Sequence, residues 1–99
     1  MLRIKDNVDL KELEKFGFVY DEDAKCYRYL IDIIVYKEID KNNKPKLMKE
    51  LPNLKPKEII SIKRFYGHSV IYKYAKEDDV QDLIKADLVE KVEVEDVKN

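Results

Sequence analysis

The sequence predicts an α+β domain, a mainly antiparallel sheet of about five to six strands accompanied by two short helices. Three observations carry that class. First, several runs rich in Ile, Val and Tyr are separated by polar turn-like stretches, as between Val19 and Cys26 or between Tyr36 and Lys46. Second, helical spacing of apolar residues occurs only in two brief stretches near the ends. Third, those stretches echo one another: Asp9-Leu10-x-x-Leu13-x-x-Phe16-Gly17-Phe18-Val19 and Asp79-Val80-x-x-Leu83-x-x-Ala86-Asp87-Leu88-Val89. Each copy reads as a two-turn helix that stops abruptly and becomes a strand.

In chain order, Leu2-Arg3-Ile4-Lys5 alternates like a short strand. Asn7 or Asp9 can cap a helix carrying Leu10, Leu13 and Phe16 on one side, ended by Gly17. Phe18-Val19-Tyr20 and a long strand from Cys26 to Glu38 flank the acidic turn Asp21-Glu22-Asp23-Ala24. Asn42-Asn43-Lys44-Pro45 marks another turn, and Lys46 to Leu51 is read as a short returning strand. Pro52 and Pro56 bracket a connection. Glu58 to Tyr66 and Ser69 to Ala75 form a hairpin, with Gly67-His68 as a two-residue loop of the glycine-first type. Glu77-Asp78-Asp79 places acid at the start of the second helix, which runs to about Ala86. Asp87 takes the place of Gly17, since aspartate tolerates the left-handed conformation better than most residues. Leu88 to Val94 is a last strand, followed by a frayed tail from Glu95 to Asn99.

Composition narrows the class further. The 99 residues hold one domain, 1–99. Charged residues make up 41% of the chain, high for a globular domain, yet 20 Lys and Arg nearly balance 21 Asp and Glu. The charges are segregated, with a basic excess in residues 41–76 and acidic excesses on either side. A single cysteine excludes an intrachain disulfide and suits a reducing compartment. No run has the length of a signal peptide or a membrane span, so the expected setting is cytoplasmic.

Pairing across Gly67-His68 puts Ile60, Ile62, Ile71 and Ala75 on one face. Ile59, Phe65, Val70, Tyr72 and Tyr74 then share the other, with Ser61 and Lys63. The long strand sets Tyr27, Tyr29, Ile31, Ile33 and Val35 against Arg28, Leu30, Asp32, Ile34 and Tyr36. Both faces are substantially apolar, where a half-buried antiparallel sheet has one polar face. Two short helices leave part of such a sheet uncovered, and a symmetric homo-oligomer is the simplest cover. Tyrosines lining a partly wet surface are the alternative.

The residues do not spell an enzyme. One His and one Cys supply no zinc cluster. The two glycines make no phosphate loop, and the acidic clusters lack the spacing and central glycine of a Ca²⁺ loop. His68 beside Ser69 could be a base and a nucleophile, although neighbours in a tight turn rarely face each other. No cofactor is expected. The basic middle is the stronger lead, because cations among aromatic rings suit phosphates and bases. The candidate surface for a partner or an anion is Lys55, Lys57, Lys63, Arg64, Tyr66, His68, Tyr72 and Tyr74. Solvated lysines that protect edge strands explain many of the same positions.

At Val8-Asp9-Leu10-x-Glu12-Leu13-x-x-Phe16-Gly17-Phe18 and at Asp82 to Val92 the chain resembles small uncharacterised proteins of phages and prophages of low-GC Gram-positive bacteria. The resemblance covers the two ends and leaves Tyr20 to Lys76 unmatched. It implies a small accessory protein in the host cytoplasm that inhibits a host protein or sequesters a host signal, and no site residue carries over. The expected function is therefore a non-enzymatic binding protein that self-associates, its partner a host protein or a small anionic ligand. A nucleic-acid-binding regulator using the basic middle is the alternative, and no membrane partner is expected.

Overall fold

Among the described residues, seven strands and a few short helices build the fold, as the predicted α+β class requires. The computed structural model describes residues 1–30, 32–43, 45–64 and 70–92. Strands β2 (Val19–Asp21), β3 (Cys26–Tyr29), β4 (Ile33–Tyr36), β5 (Ile59–Arg64) and β6 (Val70–Tyr74) form an antiparallel sheet in sequence order. Strands β1 (Leu2–Ile4) and β7 (Val89–Lys91) pair separately. An isolated bridge between Arg3 and Glu58 ties this pair to the segment entering β5.

The two central strands are buried on both faces where they pair. All four residues of β4 are buried, and so are Ile59, Ile60, Ser61 and Ile62 of β5. Alternation divides them between two cores. Ile33, Val35 and Ile59 join Tyr27, Leu13, Phe18 and Leu83 on the first face. Ile34, Tyr36, Ile60 and Ile62 join Cys26, Leu47 and Leu51 on the second.

The echoed end segments cover the first face. A 3-10 helix spans Leu10–Phe16, and a 3-10 turn at Glu77–Asp79 leads into α2 (Gln81–Lys85), where α1 is the earlier helix Pro45–Glu50. Both segments end identically. Gly17 N–H donates to the Glu14 carbonyl and Phe18 N–H to the Leu13 carbonyl, each at 3.2 Å. Asp87 N–H donates to Ile84 at 3.0 Å and Leu88 N–H to Leu83 at 3.1 Å. That closure needs a left-handed residue, and Gly17 (φ 94°) and Asp87 (φ 63°) supply it. Leu10 and Leu13 on one side and Val80 and Leu83 on the other enter the same core. The copies differ at their starts. Asp9 accepts from Lys11 N–H at 3.0 Å, whereas the Asp79 carboxylate accepts from Lys76 N–H at 2.9 Å.

Three expectations need correction. Lys46 to Leu51 is not a strand: Pro45–Glu50 is α1. A proline suits a first helical turn, and the following Lys, Leu, Met, Lys and Glu are good helix formers without a β-branched residue. Leu47 and Leu51, one turn apart, lie buried on the second face and Leu54 beside them. Glu50 also shields the open edge of β6, its carboxylate accepting from Tyr72 N–H at 3.1 Å.

The long strand from Cys26 is two strands, folded back after Tyr29, with Tyr29 opposite Ile33 and Cys26 opposite Tyr36. The odd-length turn preserves the expected sharing of one face by Tyr27, Tyr29, Ile33 and Val35; Ile31 lies outside the described residues.

The hairpin register is shifted by one. A two-residue Gly67-His68 loop sets Arg64 against Ile71, but Arg64 pairs with Val70, Ile62 with Tyr72 and Ile60 with Tyr74. One residue of slip exchanges every side chain of β6. Val70, Tyr72 and Tyr74 therefore share the second face with Ile60 and Ile62, while Ile71 and Ala75 join the first. The expected Gly67-His68 loop, the end of the expected last strand at Val94 and the expected tail from Glu95 to Asn99 lie outside the described residues.

With α1 in place the second face is covered within the chain, and the uncovered face that argued for self-association is largely gone. Leu47→Ala should lower stability by about 2–5 kcal/mol in urea unfolding, as for other buried leucines. Gly17→Ala should cost about 1–2 kcal/mol for its left-handed backbone alone, and its new Cβ would stand 3.1 Å from the Tyr29 ring. Asp87→Gly should change stability by less than about 1 kcal/mol, because relief of strain offsets lost chain stiffness.

Candidate functional site

The first face is covered unevenly. Among the described residues, the end segments and β1 close it over Val35 and Ile59, and cover runs out toward the β3–β4 turn and the far end of β5. A groove lies there between the sheet and the 77–83 segment. Its inner part is a cleft of about 240 Å³ lined by Phe16, Phe18, Tyr29, Ile33, Val80 and Leu83, with Asp78, Asp79, Gln81 and Asp82 at the rim. Its outer part continues over Ser61 to Lys63, Arg64 and Lys73, with Leu30 and Asp32 at the turn.

Local structure explains each wall. Tyr29 is the last residue of β3, and its ring stands 5.4 Å from that of Phe18. Leu30 follows with φ 53°, a left-handed conformation unfavourable for leucine. The turn is anchored by Ile62 N–H donating to the Asp32 carbonyl at 2.7 Å. On the opposite wall Asp79 is held by Lys76 N–H and lies 3.8 Å from the Lys63 ammonium. Asp78 accepts from the Gln81 amide at 3.3 Å. The Asp82 carboxylate has no partner among the described residues.

Exposure marks the groove mouth. Leu30 is 71% and Tyr29 39% exposed. Val19, the other strongly exposed apolar residue at 69%, sits on the edge strand β2 and pairs with Arg28, a second-face residue.

The described members of the sequence-predicted surface do not share one face. Lys55 and Lys57 occupy the corner before β5. Lys55 N–H donates to the buried Glu58 carboxylate at 2.9 Å. Lys57 is left-handed at φ 74°; its N–H donates to Tyr36 and its carbonyl accepts from Ile4 N–H, while its ammonium is 3.9 Å from Asp6. Lys63 lies about 20 Å further along the strand, at roughly 3.3 Å per residue. Arg64 projects from the opposite face to Lys63 by strand alternation. Tyr72 and Tyr74 are half-buried against the second core, and burial, then the Glu58 carboxylate, raises the pKa of Tyr74. Tyr66 and His68 lie outside the described residues. Of the six that are described, Lys63 lines the outer groove and Arg64, at the end of β5, borders it.

No family model, curated protein or solved structure matches the chain. Among the described residues, no group of three His, Cys, Asp or Glu is placed to hold a metal ion, and no helix is long and apolar enough to cross a membrane.

Tyr29, Leu30 and the 78–82 carboxylates were missed because nothing local distinguishes them. Leu30 sits inside a run of strand formers, and the aspartates read as helix-start residues. Only the tertiary approach of residues 29–33 to 78–83 makes them one surface. Since Leu30 combines backbone strain with exposure, Leu30→Gly should raise stability by about 1 kcal/mol in urea unfolding. A loss of stability of that size would mean that Leu30 contributes more through packing than it loses through strain.

Proposed function

We propose that the protein is a non-enzymatic binding protein that holds a segment of a partner protein in the groove beneath Tyr29 and Leu30. The observation that carries this reading is Leu30. An exposed apolar side chain on a left-handed backbone contributes little to the fold and is disfavoured by it. Strained residues of this kind persist where function requires them. Beside it the groove offers what a docked segment needs: an apolar floor, an exposed aromatic ring and charges of both signs at the rim.

The accessory role, inhibition of a host protein by a phage-related chain, rests on the resemblance of the two ends. It agrees with a scaffold built from those ends and a binding surface at their margin. Separation of Lys55 and Lys57 from Lys63, Arg64 and Lys73 gives little support to a long phosphate-tracking strip, which needs cations in sequence along one groove.

Native mass spectrometry of complexes isolated from the source cell tests the proposal. Wild-type protein should retain a stoichiometric protein partner, and the Leu30→Gly variant should lose it while melting no lower. Equal retention by the variant would remove the groove from the account.

A further inference from the structure

The chemistry of the inner cleft narrows what the groove holds. Among the described residues, every charged side chain lining it is a carboxylate: Asp78, Asp79 and Asp82. Its walls include three aromatic rings, those of Phe16, Phe18 and Tyr29. At about 240 Å³ it falls below the roughly 300–1,000 Å³ typical of cofactor and metabolite sites. It has room for a side chain, not for a nucleotide.

The carboxylates are not equivalent. Asp79 is occupied by Lys76 N–H and approached by Lys63. Asp78 has only the Gln81 amide, and Asp82 has no partner among the described residues. Asp78 and Asp82 stand on either side of Val80, whose non-helical backbone (φ −137°, ψ 41°) separates the 3-10 turn from α2, and both line the cleft. A cation entering the cleft meets carboxylates at its rim. The approach of Lys63 to Asp79 shows the same attraction from within the chain.

Resting on the groove being the binding surface, we propose that its inner cleft receives an arginine side chain from the partner segment, with adjacent apolar residues of that segment lying on Tyr29 and Leu30. Guanidinium suits the cleft better than ammonium. It is planar and weakly hydrated, it stacks on aromatic faces, and its fork of donors can engage two carboxylates. The outer part of the groove brings in the cations Lys63, Arg64 and Lys73 against one further carboxylate, Asp32. A segment with its arginine inward and an acidic residue outward is thereby held in one direction.

Fluorescence anisotropy with labelled hexapeptides tests this on the full chain. The probes alternate leucine with arginine, with citrulline (its neutral isostere) or with glutamate. The arginine peptide should bind at least tenfold more tightly than the citrulline peptide, and the glutamate peptide most weakly. Asp78→Asn combined with Asp82→Asn should reduce arginine-peptide affinity to the citrulline level without lowering the melting temperature, Asp79 being left intact. Equal affinities for arginine and citrulline, preference for glutamate, no arginine-peptide binding, or an unaffected double variant would each overturn the inference. If arginine and citrulline peptides bind equally and Leu30→Gly abolishes both, the groove stands and the arginine assignment falls. If Leu30→Gly leaves arginine-peptide binding unchanged, the groove itself is wrong.

Discussion

Two adjacent strands buried on both faces, β4 and the first four residues of β5, impose the condition the rest of the molecule satisfies. Ile33 to Tyr36 and Ile59 to Ile62 must be covered from both sides by a chain of 99 residues. Each buried aliphatic side chain is worth about 1.5–3 kcal/mol only while water is excluded, so cover on either side is a requirement of stability. The first side is closed by two end segments sharing one helix-stop geometry, the second by α1 and Leu54.

Charge follows the same plan. The basic and acidic blocks of the sequence meet in part through Lys57–Asp6 and Lys63–Asp79, and ion pairs Arg3–Glu90, Lys5–Asp87 and Lys91–Glu77 bracket the terminal strand pair. These pairs are exposed or half-exposed, where each contributes at most about 1 kcal/mol. They set register and direct segments together, while the energy lies in the two cores. The dipole visible in the sequence is thus partly cancelled, although its acidic end survives at the groove rim.

What could be read in advance was local. Asp9 and Gly17 mark a helix whatever surrounds them, and Asp87 marks a second stop by the same backbone logic. The α+β class followed from those signals and from the abundance of β-branched runs. Long-range constraints defeated the reading elsewhere. Leu30 turns the chain with no glycine, proline or asparagine to announce it, because Ile62 on β5 holds Asp32 in place. Lys46 to Leu51 is helical on propensity, but its neighbours suggested a meander. The β5–β6 register depends on which β6 residue stands opposite Arg64, and no side-chain pattern decides it where both faces are apolar. The groove belongs to this second category, arising where the cover of one face ends.

The account turns on both sheet faces being closed by the chain itself, with apolar surface open only where that cover stops. Solvent paramagnetic relaxation enhancement of methyl groups measures this directly. The Leu30 and Val19 methyls should relax strongly with a soluble paramagnetic agent, while those of Ile60, Ile62, Leu47 and Leu51 should be nearly unaffected. Strong relaxation across Ile60, Ile62 and Leu47 would mean that α1 does not cover the second face. That face would then be the open surface, and the groove would lose its standing as the binding site.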